Sequence, residues 1–287
     1  MNIRNFISNH KISLIVIGVC IVAITVFSVL IVRNMQAEPV SQIIEDEQFD
    51  EPDFKKKLMK HQYKMQNFKD ENGWKRYYDD DGNLISTCGI DISYHQKDID
   101  WDKLKAQGID FVILRAGYRG YESGDLFVDK NFNDYAQKAQ EAGLNIGIYF
   151  FSQSVSVEEA VEEAQYTLQL IKDYDIKYPV AYDWEPVEEK KSRTFPVDYP
   201  ELTDSAIAFC DIIQQAGYTP MIYANRSQAL DYYDMERVSH YDLWLAEYFE
   251  QPEYPYSFTM WQYTSDGRID GISGRVDMNI CFKKYTD

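Results

Sequence analysis

Residues 178–185 read YPVAYDWE, an apolar run that ends in two acidic residues. Residues two apart on a strand point to the same side, so Asp183 and Glu185 are expected to face one way and Trp184 the other, under a helix. Charged side chains are costly inside an otherwise apolar strand unless they serve a purpose. This stretch therefore predicts a buried strand that delivers two carboxylates to a site.

Seven further strand-like runs lie on either side of this stretch, and helical patterns separate the early ones. The runs are CGIDIS (88–93), DFVILRAG (110–117), LNIGIYFF (144–151), YTPMIYAN (218–225), DLWLAEY (242–248), SFTMWQYT (257–264) and RVDMNICF (275–282), and helices are predicted at 131–142, 157–172 and 203–215. Apolar strands that alternate with helices indicate a parallel sheet. Because the last three runs leave little room for helices, we predict an α/β fold, an irregular TIM-like (β/α)5β3 barrel, over residues 88–287.

Four carboxylates lie at or near the ends of predicted barrel strands, where barrel enzymes keep their active residues. They are Asp91, Asp183, Glu185 and Asp277. Two adjacent carboxyls cannot both ionise cheaply, so one is expected to hold its proton near neutral pH. Glycoside hydrolysis needs such a pair, a protonated acid beside negative charge. An Asp-x-Glu pattern is common in acidic chains, but its position at a strand end favours a carboxylate hydrolase.

Aromatic residues near the strand ends are candidates for stacking on sugar rings, since Tyr and Trp combine a flat apolar face with a polar tip. These candidates for substrate binding are Tyr94, Tyr118, Tyr149, Tyr182, Tyr223, Trp244 and Trp261. Each is equally a candidate for packing in the core or at the rim. Arg115, at the end of the second strand, is expected either to pair with a carboxylate or to contact substrate.

Composition excludes other classes of function. The net charge of −18 argues against a nucleic-acid partner, because phosphate binding needs clustered Lys and Arg. The four His and four Cys are scattered, without the spacing of metal ligands. We therefore expect neither a metal nor another cofactor.

The N-terminal residues predict a membrane anchor. Residues 12–32 are uncharged and apolar, long enough to cross the ~30 Å hydrocarbon layer as a helix. The run is longer than the core of a cleaved signal peptide, so a retained transmembrane helix at 12–33 is favoured over cleavage. Arg4 and Lys11 precede the run and Arg33 follows it, which favours a cytoplasmic tail at 1–11 and an extracellular barrel in a single-pass membrane protein.

Two segments are predicted between the anchor and the barrel. Residues 34–72 are polar and charged, which indicates a stalk. Residues 73–87 carry Trp74, Tyr77 and Tyr78 before the turn sequence Asp80-Asp81-Gly82-Asn83, which predicts an aromatic β-hairpin. Such a unit resembles one repeat of a wall-binding module, but it could equally pack against the barrel.

Residues 89–279 resemble glycoside hydrolase family 25, the lysozymes of the Chalaropsis and phage-endolysin type. The matching motifs, in order, are GIDIS (89–93), IDW (99–101), FVILRAG (111–117), GIYF (147–150), DWE (183–185), LWLA (243–246), WQY (261–263) and VDMN (276–279). Several motifs in the right order over a whole domain make the resemblance specific.

The resemblance implies hydrolysis of the β-1,4 bond between N-acetylmuramic acid and N-acetylglucosamine in peptidoglycan. Glu185 is then the general acid, and Asp183 either orients the 2-acetamido group of the substrate or supports an attacking water. Asp91 and Asp277 are the outer carboxylates that tune this pair. Two alternatives stay open: a chitinase-like hydrolase of N-acetylglucosamine polymers, and a catalytically silent wall-binding scaffold.

Overall fold

The structure is a computed structural model that describes residues 58–195 and 199–286. Its strands are β1 (Phe68–Glu71), β2 (Trp74–Tyr77), β3 (Thr87–Ile92), β4 (Phe111–Arg119), β5 (Leu126–Val128), β6 (Asn145–Ser152), β7 (Ile176–Trp184), β8 (Pro220–Asn225), β9 (Asp242–Ala246), β10 (Met260–Gly267) and β11 (Val276–Cys281). Its α-helices are α1 (Trp101–Ala106), α2 (Phe132–Glu141), α3 (Val157–Ile171), α4 (Leu202–Gln215) and α5 (Met235–Val238). The eight predicted barrel strands and the three predicted helices are all present.

Eight strands close into a barrel in the order β3-β11-β10-β9-β8-β7-β6-β4, and β4 pairs back with β3. The pairs from β3 through β4, β6, β7, β8 and β9 to β10 are parallel, whereas β11 runs antiparallel to both of its neighbours. The short β5 adds to the end of β4 outside the ring. The prediction of an α/β barrel with eight strands is confirmed.

Helices follow only the first five barrel strands. In the described part of the chain, α1 to α5 succeed β3, β4, β6, β7 and β8 respectively, and no α-helix separates β9, β10 and β11. Helix α3 shows how the sequence builds this layer. Ser156 accepts a hydrogen bond from the Glu159 backbone N–H at its start, and Ala160, Ala164 and Ile171 form its buried face.

Side chains on the barrel strands alternate between the interior and the outer layer. On β7, Tyr182 and Trp184 belong to the outer core, while Ala181 belongs to the cluster inside the barrel. The interior packs tightly: a Cβ on Gly89 would lie 2.4 Å from the carbonyl oxygen of Phe111. This explains why the GIDIS motif on β3 begins with a glycine, at position 89.

The segment from Leu58 to Ser86 covers the helix-free strands. The Tyr63 hydroxyl donates to the Phe258 carbonyl at 2.6 Å, and its ring centroid lies 4.1 Å from that of Phe282. The Phe68 ring packs edge-on against Trp261, which is fully buried. The segment thus provides the outer layer that helices provide elsewhere.

These contacts correct the predicted stalk at 34–72. Residues 58–72 belong to the folded unit, because Tyr63 and Phe68 pack into its core and β1 lies within the predicted stalk. The remainder, 34–57, lies outside the described residues.

The hairpin predicted at 73–87 is shifted along the chain. Strand β2 pairs with β1 through a turn at Asn72-Gly73, where both residues have positive φ (54° and 83°). This combination is typical of a two-residue hairpin turn. The hairpin therefore turns at Asn72-Gly73 and not at the predicted Asp80-Asp81-Gly82-Asn83. The acidic turn closes only one bridge, Tyr78 to Leu84, with Asp79 accepting the Asn83 backbone N–H.

No helix within residues 58–195 or 199–286 has the length and apolar character needed to cross a membrane. The predicted transmembrane helix at 12–33 and the tail at 1–11 lie outside the described residues.

Candidate active site

The carboxyl ends of the parallel strands surround an open cavity of about 280 Å³. All four predicted carboxylates line it. The full lining is Asp91, Ile92, Ser93, His95, Gln96, Arg115, Tyr149, Phe151, Asp183, Glu185, Tyr223, Trp244, Tyr248, Gln262 and Asp277.

Strand pairing brings the carboxylates together from distant parts of the chain. Asp91 on β3 and Asp277 on β11 are direct partners across their antiparallel ladder. Asp183 lies near the end of β7, and Glu185 follows the last residue of that strand. Trp184, between them, points outward and donates its indole N–H to the Ser154 carbonyl at 3.1 Å. The alternation predicted for this stretch is therefore observed.

Burial raises the pKa of all four carboxyls, because a dry environment disfavours the charged form. The pKa of Glu185 rises to about 7, through burial and then the charge of Asp277, and that of Asp277 rises to about 6 through burial. The pKa values of Asp91 and Asp183 rise well above the ordinary range, through burial and then the charges of Asp277 and Glu185 respectively. The cluster therefore retains protons near neutral pH.

Asp183 keeps an oxygen free for a ligand. Its Oδ1 is buried and has no hydrogen-bond partner among the described residues. A buried carboxylate oxygen without a donor is costly, and such atoms are uncommon in folded proteins. Because Asp183 lines the cavity, a donor group of a bound substrate could satisfy this oxygen.

Arg115 lines the cavity, and of the two expectations stated for it the structure confirms the pairing with a carboxylate. Its Nε donates to Asp129 Oδ2 at 2.9 Å, and the side chain also faces the cavity. The rings of Tyr94 and Tyr118 flank it, with centroids 5.0 and 5.2 Å from its guanidinium carbon. Its charge lowers the pKa of Asp183, against the larger effect of burial.

The seven predicted substrate-binding aromatics separate into three groups. Tyr149, Tyr223 and Trp244 line the cavity, whereas Tyr94 and Tyr118 lie beside it against Arg115. The structure contradicts the expectation for the other two, Tyr182 and Trp261, which are fully buried outside the barrel interior.

Both corrections have the same physical reason. Tyr182 precedes the inward-facing Asp183 and Trp261 precedes the inward-facing Gln262, so strand alternation turns both outward. The Tyr182 hydroxyl bonds the Ser154 hydroxyl at 2.7 Å, and the Trp261 indole donates to the Glu247 carbonyl at 2.7 Å.

The cavity also contains residues that were not predicted. Tyr248 and Gln262 belong to it, as does His95, which was considered at the first strand end but not assigned. Gln262 stands inside the WQY motif and Tyr248 is the last residue of the strand-like run 242–248, so strand parity and strand ends could have indicated both. Within the described residues, no group of His, Cys, Asp and Glu side chains is arranged to hold a metal ion.

Comparison with known proteins agrees with this geometry. Residues 90–272 match the family described as glycosyl hydrolases family 25. The autolytic lysozyme of Clostridium acetobutylicum is 25% identical over 192 residues, which cover 67% of this chain and 54% of that protein.

Two solved structures are similar in fold. One is the autolysin LytC of Streptococcus pneumoniae in complex with a synthetic peptidoglycan ligand (TM-score 0.60, 27% identity, 75% of this chain and 52% of that chain). The other is the spore cortex lytic enzyme SleM of Clostridium perfringens (TM-score 0.59, 27% identity, 69% of this chain and 68% of that chain). The chain spans about half the length of the lysozyme and of LytC.

The family match covers well over half of the chain and includes Asp91, Asp183 and Glu185. It ends before Asp277, which the barrel places opposite Asp91. The barrel, the carboxylate cavity and the match agree, and the chain belongs to glycosyl hydrolases family 25.

Proposed function

We propose that this protein hydrolyses the β-1,4 bonds between N-acetylmuramic acid and N-acetylglucosamine in bacterial peptidoglycan. The observation that carries the proposal is the cavity in which Glu185, with a pKa of about 7, lies among three further carboxylates. The similarity to an autolytic lysozyme, and to an autolysin structure with a peptidoglycan ligand, supports this substrate.

In this mechanism Glu185 is the general acid. It gives its proton to the glycosidic oxygen while the bond from that oxygen to the sugar C1 breaks, and positive charge develops on the ring. The negative charge that remains in the cluster of Asp91, Asp183 and Asp277 stabilises the charge on the ring. The preferred nucleophile is the oxygen of the 2-acetamido group, which Asp183 orients by accepting its N–H. The alternative is a water molecule that Asp183 supports.

Replacing Glu185 by Gln tests the acid role. We expect the loss of turbidity of purified cell walls to slow by about 10²–10⁴-fold, because Gln cannot supply the proton. Glu188→Gln is the matched control: Glu188 follows the same strand but is exposed and outside the cavity lining, and should keep full activity.

Reducing-end analysis of the products tests the bond that is cut. New ends on N-acetylmuramic acid support the proposal. Cleavage of chitin without release from walls would favour the chitinase-like alternative. An unmodified protein that binds walls without clearing them would favour the silent scaffold.

We further propose that residues 12–33 anchor the protein in the cell membrane as a single pass, with the barrel outside. The support is the uncharged run at 12–32 and the basic residues before it. In fractionated cells the intact chain should stay with the membranes, and external protease should degrade the barrel. A shortened chain in the medium would instead indicate a cleaved signal.

A further inference from the structure

Two side-chain amides hold Asp91 in place. Its Oδ2 accepts hydrogen bonds from Asn279 Nδ2 at 2.8 Å and from Gln262 Nε2 at 2.9 Å. Both amides are buried. A side-chain amide can be flipped so that its oxygen and its NH₂ group exchange places. The direction of each hydrogen bond therefore has to follow from the group that the other end of the amide contacts.

Trp244 determines the direction for Asn279. The indole Nε1 lies 2.8 Å from Asn279 Oδ1, and an indole N–H can only donate. Turning the amide would set its NH₂ group against this N–H. Asn279 therefore directs its NH₂ group at Asp91, and Oδ2 of Asp91 accepts it, so a proton that Asp91 holds lies on Oδ1.

The direction of Gln262 follows from that of Asn279. Because Oδ2 of Asp91 accepts, Gln262 points its NH₂ group toward Asp91 and its oxygen away. That oxygen lies 3.1 Å from the hydroxyl of Tyr223 and 2.7 Å from the hydroxyl of Tyr248. An amide oxygen can only accept, so both tyrosines donate their protons to it.

Both tyrosines line the cavity, and their committed protons leave only oxygen lone pairs for a ligand. We propose that Tyr223 and Tyr248, oriented by Gln262, form an acceptor wall that selects a glycan presenting an N–H donor, the acetamido group of an N-acetylated sugar. This rests on the proposed function and concerns the acetamido group of a second sugar, because the single N–H of the first is already assigned to Asp183. Gln262 acts as a positioning residue, since it works through the tyrosines.

The test compares two tetrasaccharides that differ only in this donor. One is chitotetraose, and the other carries 2-O-acetyl groups in place of the 2-acetamido groups, which exchanges each N–H for an ester oxygen. Binding is measured by titration calorimetry with the full chain in detergent, with Glu185→Gln present throughout to prevent turnover. Adding Tyr248→Phe should weaken chitotetraose about 2- to 10-fold, the effect of one neutral hydrogen bond, and leave the ester analogue unchanged.

Two further variants separate the wall from a general structural effect. Tyr263→Phe is the matched control, because the Tyr263 hydroxyl accepts the Lys75 backbone N–H outside the cavity lining, and it should change neither affinity. Gln262→Met frees both tyrosine protons to point into the cavity. When Gln262→Met is present, adding Tyr248→Phe should no longer lower the preference for chitotetraose over the ester analogue.

Equal weakening of both ligands by Tyr248→Phe, or no weakening of chitotetraose, would overturn the acceptor wall. This failure is distinct from failure of the proposed function. A protein that clears walls but shows no Tyr248-dependent preference retains the function without the wall. A protein with that preference that clears no walls retains the wall without the function.

Discussion

At the scale of single residues, the barrel interior uses burial to keep acids protonated. Glu185 and Asp277 share the cavity with two other carboxyls, whereas Arg115 is the single arginine among the described lining residues. Burial of the side chain and the charge of Asp277 therefore explain how an ordinary glutamate can serve as an acid at neutral pH.

The pH dependence of wall hydrolysis should follow Glu185. Because its acid form is the active one and its pKa is about 7, the rate should fall as the pH rises through about 7. The measurement is kcat/KM on wall fragments from pH 5 to 9. An unchanged rate up to pH 9 would contradict the acid role of Glu185.

Folding stability should change with pH in the same direction. Glu185 and Asp277 hold protons more tightly in the folded protein, so their contribution to stability is fully present below their ordinary pKa values. It is lost as the pH rises through about 6 for Asp277 and about 7 for Glu185. Glu185→Gln should therefore raise the free energy of unfolding at pH 8 by roughly 1–3 kcal/mol, and less at pH 4. Urea unfolding at both pH values checks this, with Glu188→Gln as the control.

At the scale of elements, the segment before the barrel completes its outer layer. Strands β9 to β11 have no helices between them, and β1 and β2 with the preceding residues lie against them. Trp74 on β2 is only 2% exposed, although it lies outside the family match that starts at residue 90. The hairpin is thus a structural part of the barrel in this chain.

Trp74→Ala should therefore destabilise the whole barrel, by about 3–5 kcal/mol, the usual effect of removing a large buried aromatic side chain. Gln66→Ala, at an exposed position next to β1, is the control and should have little effect. Thermal unfolding followed by circular dichroism measures both. Equal stability of the two variants would mean that the hairpin is dispensable.

At the scale of the whole molecule, the net charge opposes the proposed substrate. A chain of charge −18 is repelled by anionic wall polymers, so binding has to rely on short-range contacts in the cavity. Salt screens charges over about 10 Å at 0.1 M.

Hydrolysis of intact walls should consequently speed up when salt is raised from 10 to 150 mM. Hydrolysis of short, uncharged wall fragments should change little, because no repulsion has to be screened. Turbidity loss and product release at matched pH measure the two rates. A rate on intact walls that falls with salt would show that attraction, not repulsion, governs the encounter.

Local patterns in the sequence were sufficient for the eight barrel strands, for the helices at 131–142, 157–172 and 203–215, and for the positions of the four carboxylates. These depend on periodicity and on position along one element. The outward orientation of Tyr182 and Trp261 was predictable in principle, because each is next to a residue whose side chain faces the barrel interior.

Only the tertiary structure decided which distant residues meet. The pairing of β3 with β11 sets Asp91 opposite Asp277, and it also brings Asn279 and Trp244 into the hydrogen bonds that orient Asp91. The packing of residues 58–72 over the helix-free strands was likewise not predicted, and packing of residues 73–87 against the barrel was one of two open alternatives. Periodicity specifies which side of a strand a residue faces, whereas its partner across the barrel depends on register and closure between segments nearly two hundred residues apart.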